Sequence, residues 1–225
     1  MLQTGKWFAR LPEPMVQALL AMAKIRTLQT GEVLFLRHAP PCGLYALVRG
    51  AIRFSGLSSA GDDAREAVLA VLSPPAWFGE ISVFDGSVRT HDAMALEPST
   101  LLQIPQAELT HWLNQHPVYW RTLALLMADK LRMVFVTMEE QTVLPAPQRL
   151  ARRLVAMTQD YGQAQAANLS RRILAVTQEQ LAQMTGVSRQ TINQILNDWK
   201  ERNIIRTHRS GLEILDSLAL QQEAR

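Results

Sequence analysis

The sequence predicts an α+β chain in three parts: an antiparallel β-barrel or sandwich near the N-terminus, one long helix, and a compact C-terminal unit of short helices with a β-hairpin. Three observations carry this reading. Between Thr30 and Ile104, short apolar segments alternate with turns rich in Gly, Pro and Ser. From His116-Pro117 to about Val143, apolar residues recur at helical spacing without a break. Beyond the LPAP segment at 144–147, capping signals mark two short helices joined through a glycine.

Bulk properties narrow the class. With 225 residues, 48% apolar and 19% charged, the chain can bury sizeable cores and does not have the composition of a disordered protein. No run approaches 18 apolar residues, and the opening MLQTGKWFARLPEPM lacks the apolar core of a secretory signal. The single cysteine, Cys42, can supply neither an internal disulfide nor a four-thiolate cluster. A cytoplasmic protein with no membrane partner is expected. Net charge is +3, unevenly spread: residues 148–225 hold 11 Lys+Arg against 7 Asp+Glu, and residues 1–147 hold 12 against 13. A polyanion-binding surface is therefore sought in the last third.

Each element follows in order. Pro12 and Pro14 open a helix over residues 11–25. The segments EVLFL, GLYALVRG, AIRFSG, EAVLAVL and TLLQIP read as strands, with a hairpin tip at Asp62-Asp63 after Gly61. Along the long helix, Trp120, Ala124, Met127, Leu131, Val134, Met138 and Gln141 form an a/d-like stripe, widened by Leu123, Leu126, Phe135 and Val136. A helix apolar on two faces needs two partners, the barrel and a second copy of the chain; the alternative is a helix wholly buried in one subunit. Two prolines in LPAP stop that helix and stiffen a hinge. The expected domains are a sensor over 1–115, the helix over 116–143, the hinge at 144–147 and a final domain over 148–225.

Within that final domain, TQEQLAQMTGVSRQTINQIL at 177–196 fits a helix-turn-helix. Thr177 and Gln180 make a capping box, Leu181 and Met184 face inward, and Gly186 ends the first helix in the left-handed conformation. Ser188 caps a second helix whose Ile192 and Ile195 pack back on the first, leaving Arg189, Gln190, Asn193 and Gln194 on the free face. Arg189 suits guanine, and Gln190 or Gln194 suits adenine. Thr177, Ser188 and Thr191 match phosphate oxygens, which position the unit. An ordinary helical hairpin explains the packing residues, but not an acid-free stretch from Leu181 to Asn197 carrying this side-chain set. Downstream, NIIRTHRSGLEIL reads as a wing with Arg206, His208 and Arg209 near its turn.

The stretch GEISVFDGSVRTHDA at 79–93 sets Glu80 nine positions before Arg89, with a tight Asp85-Gly86 turn between them. Taken together, these motifs resemble the CRP/FNR family of bacterial transcription regulators over nearly the whole chain. The resemblance implies a jelly-roll cyclic-nucleotide-binding-like barrel, a dimerisation helix and a winged helix-turn-helix. It also implies a homodimer on a palindromic double-stranded DNA operator, with half-sites about 34 Å apart, and RNA polymerase as a further partner. By position it assigns a phosphate-binding cassette to Gly79, Glu80, Ile81, Arg89 and Thr90, with Glu80 on the ribose hydroxyl and Arg89 on the cyclic phosphate of an effector such as cyclic AMP. A direct Glu80–Arg89 bridge is the rival reading of that pair.

Two departures keep alternatives open. His91 follows the hydroxyl residue where the family has alanine. Val134 and Phe135 stand where cyclic-AMP-sensing members place a Thr-Ser pair against adenine, and neither can hydrogen-bond a base, although the phenyl ring can stack on one. A regulator that is ligand-independent, or that senses cyclic di-GMP, is therefore the alternative. In the recognition helix, Gln190 and Gln194 replace the Glu and second Arg of the cyclic AMP receptor pattern. No G-x-S-x-G, H-E-x-x-H or Walker-type loop speaks for an enzyme. Haem is the remaining rival, resting on His38 and His91 in the sensor half.

Overall fold

The computed structural model describes residues 5–58, 65–158, 173–208 and 211–225. The Asp62-Asp63 tip and Arg209 lie outside the described residues. Helix α1 (Glu13–Met22) starts after Pro12 and buries Met15 and Leu19 one turn apart. It is shorter than the 11–25 expected, because Lys24 already begins β1 (Lys24–Leu28), which pairs antiparallel with β8 (Ser99–Ile104). Branched Ile25 and Thr27 favour that pairing over another helical turn.

Six further strands lie between these two: β2 (Val33–Phe35), β3 (Leu44–Arg49), β4 (Ile52–Ser58), β5 (Arg65–Leu72), β6 (Ala76–Phe78) and β7 (Asp92–Ala95). They do not close into a barrel. Two four-stranded sheets, β1-β8-β3-β6 and β2-β7-β4-β5, form a jelly-roll-like sandwich. Leu28, Tyr45, Leu47 and Leu101 from one sheet meet Ile52, Phe54 and Leu72 from the other in a common core. Short strands β6 and β7 escape the apolar-run reading, since three or four residues carry too little alternation to stand out.

A second core lies where α1, α3 (Gln106–Gln115) and the start of α4 (Val118–Val143) meet the first sheet. Trp7 anchors it: its indole N–H donates to the Thr122 carbonyl (2.8 Å), and its ring stands edge-on to Trp77 at 5.3 Å. Only Leu123 and Leu126 of α4 are buried. Further along, Leu131, Val134, Phe135, Val136 and Met138 are each half exposed or more. The reading of α4 as wholly buried in one subunit is thereby overturned.

Leu144 and Pro145 alone separate α4 from α5 (Ala146–Thr158). Pro147 sits inside the first turn of α5, where a proline lacks no needed hydrogen bond. The C-terminal unit adds β9 (Ile173–Leu174), α6 (Gln178–Thr185), α7 (Arg189–Glu201), β10 (Ile205–His208), β11 (Gly211–Ile214) and α8 (Ser217–Glu223), its strands ordered β10-β11-β9. Leu154, Leu181, Ile192, Leu196 and Trp199 form its core, and Val68 and Val71 of β5 join the same cluster. The C-terminal unit thus docks on the sandwich through β5. Among the described residues, no helix is long and apolar enough to cross a membrane, and no His, Cys, Asp and Glu group could hold a metal ion.

Candidate functional site

The 79–93 segment is shaped by one glycine. Gly79 leaves β6 at φ +96°, where side chains are rarely tolerated. A Cβ there would lie 2.7 Å from the Gly43 carbonyl oxygen and 3.0 Å from Arg89 Nη1. Helix α2 (Glu80–Asp85) follows and ends at Gly86. The chain then returns to Arg89, whose backbone is held at both ends: its N–H donates to the Ala39 carbonyl (2.9 Å), and its carbonyl accepts from His38 N–H (2.8 Å).

Arg89 is only 3% exposed. Nη1 donates to the Gly79 carbonyl (3.1 Å), and Nη2 donates to the Gly43 carbonyl (2.6 Å) and to Cys42 Sγ (3.1 Å). The guanidinium lies 4.5 Å from the centre of the Phe35 ring, within cation–π range. Nε is buried without a partner, so of the five N–H groups a guanidinium carries, two remain unused among the described residues. Arg89 makes no ion pair among those residues. A cation held this rigidly, by neutral groups alone, is pre-organised for an anion.

Glu80 is equally buried but does not meet Arg89. Lys130 of α4 donates to its Oε2 at 2.6 Å. This corrects the direct Glu80–Arg89 bridge: the packing of α2 against α4 delivers a cation from fifty positions along the chain. Removing Lys130 would leave the Glu80 carboxylate in a poorly solvated site. Thr90 is exposed, with its hydroxyl 2.7 Å from His91 Nδ1. The His91 ring stands edge-on to Phe54 at 4.7 Å. Burial first, and then the Lys130 ammonium, hold His91 below its ordinary value, which keeps the imidazole neutral near pH 7.

The fold therefore gathers Gly79, Glu80 and Arg89, and sets Thr90 at the rim. Ile81 is exposed on the first turn of α2, while Val134 and Phe135 are 52% and 60% exposed. Sequence reasoning missed Lys130, Cys42 and Phe35. The one available signal for Lys130 was its place one helical turn before Val134.

At the other end, the helix-turn-helix is built locally. Thr177 Oγ1 accepts from Gln180 N–H (3.2 Å), and Gln180 Oε1 accepts from Thr177 N–H (2.8 Å), which completes the capping box. Gly186 takes φ +67° in the turn. Ser188 Oγ accepts from Thr191 N–H (3.0 Å) to start α7. Ile192, Ile195, Leu196 and Trp199 face inward. Arg189, Gln190 and Gln194 are exposed, and Thr191 and Asn193 partly so. In the wing, His208 Nε2 lies 2.8 Å and Arg206 Nη1 3.4 Å from Glu213 Oε2, so Glu213 offsets the Arg206 charge and also holds the His208 ring.

Comparison with known proteins agrees with this architecture. The cyclic nucleotide-binding domain family matches residues 25–116, and the Crp-like helix-turn-helix domain family matches residues 148–223. The CRP-like cAMP-activated global transcriptional regulator of Mycobacterium tuberculosis is 29% identical over 195 residues, covering 87% of this chain and 85% of the relative. The global nitrogen regulator of Synechocystis is 27% identical over 205 residues, covering 88% of each. The structure of FixK2 from Bradyrhizobium japonicum superposes with a TM-score of 0.76 at 19% identity, over 90% of this chain and 98% of that one. Two family matches in this order, joined by a long helix, leave one reading: the chain belongs to the CRP/FNR family of transcription regulators.

Proposed function

We propose that this DNA-binding regulator works as a homodimer whose N-terminal domain binds a cyclic nucleotide, cyclic AMP being the first candidate. The observation that carries this reading is Arg89: a buried guanidinium with unused N–H groups, held by carbonyls, a thiol and an aromatic ring in place of an acid. A singly charged cyclic phosphate supplies the missing anion, Gly79 leaves room for it, and Glu80 accepts from the ribose hydroxyl. The second amide of α2, at Ile81, and the Thr90 hydroxyl complete the phosphate contacts. Exposed Val134 and Phe135 close over the base from α4, the phenyl ring by stacking.

Dimerisation through α4 is supported by its half-exposed stripe of Leu131, Val134 and Met138. Two α7 helices then enter successive major grooves. Arg189, Gln190, Asn193 and Gln194 read bases, while Thr177, Ser188 and Thr191, with Arg209 from the wing, contact phosphates. Cytoplasmic residence and contact with RNA polymerase belong to the same reading. The effector acts by favouring one dimer arrangement over another, through its differential affinity for the two.

Calorimetric titration with cyclic AMP, cyclic GMP and cyclic di-GMP tests the proposal. Saturable cyclic AMP binding that disappears in Arg89→Ala is expected. A second reading, regulation without a cyclic nucleotide, is favoured by Lys130 already holding Glu80 and His91 already engaging Thr90. Silence from all three nucleotides, with operator binding intact, establishes that second reading.

A further inference from the structure

A half-open cavity lies away from Arg89, where the later turns of α4, the length of α5 and the end of α6 come together. Its volume is about 220 Å³, room for roughly seven waters. One side is apolar, formed by Met133, Val136 and Met184. The other is cationic: four arginines line the cavity, and among the described residues Glu140 is the only acid that does.

Glu140 is already taken, because Arg152 Nη1 bonds it at 3.0 Å while Arg152 Nε reaches the Ala224 carbonyl at 2.8 Å. Arg149 donates Nη1 to the Gln141 carbonyl (2.9 Å), and its Nε is enclosed with no hydrogen-bond partner. Arg132 is paired with Asp129 at 2.8 Å, so the recognising group is Arg149, whose enclosed guanidinium N–H beside an apolar wall suits a molecule that is anionic at one end and apolar at the other.

We propose that this cavity binds an amphipathic organic anion, its acid group on Arg149 and its apolar body against Met133, Val136 and Met184. The site spans three helices with different duties. α4 carries the candidate dimer stripe, and α5 is the first helix after the Leu144-Pro145 break. Met184 and Thr185 belong to the last turn of α6, directly before the Gly186 turn that aims α7. An occupant bridges all three and stiffens the joint between the sensor half and the DNA-binding half. This inference stands whether or not Arg89 receives a cyclic nucleotide.

Calorimetry on the full chain, with three probes, tests it: naphthalene-2-sulfonate, its uncharged relative naphthalene-2-methanol, and inorganic sulfate. Saturable binding of the sulfonate, one per protomer, is expected, with affinity at least tenfold weaker for the other two probes. Arg149→Met and Ala156→Phe, one removing the charge and one filling the space, are each expected to weaken sulfonate binding tenfold or more. Arg89→Ala is expected to leave sulfonate binding unchanged while cyclic AMP binding is lost, which separates failure of one site from failure of the other. Equal binding of the alcohol or of sulfate overturns the proposal, as does sulfonate binding that survives both cavity variants. No saturable sulfonate binding overturns it too.

Discussion

The 79–93 segment and the recognition helix place polar side chains in opposite ways. Arg89 and Glu80 are buried, and their partners come from across the fold: Gly43, Phe35 and Lys130. Arg189, Gln190 and Gln194 stand in solvent on a helix whose caps and packing residues lie within the same twenty positions. A ligand pocket of the first kind is an achievement of tertiary structure. A reading surface of the second kind needs only a correctly aimed helix. The first is fragile to changes far away in sequence, and the second to changes close by.

The sharpest break of that contrast is Ile192→Ala. Ile192 is fully buried between α7 and the rest of its unit. Its truncation is expected to cost the C-terminal unit about 2–5 kcal/mol, read by urea denaturation followed by circular dichroism, while cyclic AMP binding stays intact. Arg89→Ala should do the reverse, lowering cyclic AMP affinity by at least about 2 kcal/mol, roughly thirtyfold in calorimetry, with operator affinity in the absence of nucleotide unchanged. Arg189→Ala is expected to weaken binding at the specific operator by about 1–3 kcal/mol in fluorescence anisotropy. A guanine-substituted site should then discriminate less than before.

Smaller effects sharpen the comparison. Ser188→Ala removes one cap from α7 and is expected to cost about 1 kcal/mol of stability, with no change at the sensor. His91 supplies the pH test, with Lys130, Glu80, Arg89 and Asp92 as its charged neighbours. Its folded value lies below the ordinary 6.5, so between those two values the unfolded chain binds more protons than the folded one. The penalty is absent above 6.5 and grows as pH falls through that window, at no more than about 1.4 kcal/mol per pH unit. The stability of wild type relative to His91→Gln should therefore decline between pH 7.5 and 5.5. A flat difference would mean that His91 is as well solvated folded as unfolded.

How much could be read beforehand follows the same division. The capping box, the Gly186 turn and the inward Ile192 and Ile195 were legible because each depends on residues three or four positions away. Strand β1 was hidden, because Lys24–Leu28 alone resembles the tail of α1 until β8 supplies a partner. Glu80 and Arg89 could be singled out by spacing, but not their separate fates. Nothing local to either announces that Lys130 answers the first, and neutral carbonyls the second. The choice between a closed barrel and a sandwich stayed open in the sequence, since closure of a barrel depends on strand register and tilt rather than on strand content.

The distribution of indoles has an optical consequence. Of the five tryptophans, Trp7, Trp77, Trp112 and Trp120 all precede the Leu144-Pro145 break, and Trp199 alone follows it. Trp7 and Trp77 touch edge-on, a geometry that couples their transitions and gives the sensor half its own near-ultraviolet signature. Trp199 is enclosed, with its N–H donating to Glu223 (3.2 Å), so its emission reports the C-terminal unit in isolation. With the first four changed to phenylalanine, Trp199 emission compared with the far-ultraviolet circular dichroism of the strand-rich sensor half would show whether the two halves melt as one cooperative body or in sequence. The contact of Val68 and Val71 with the C-terminal core argues for the former.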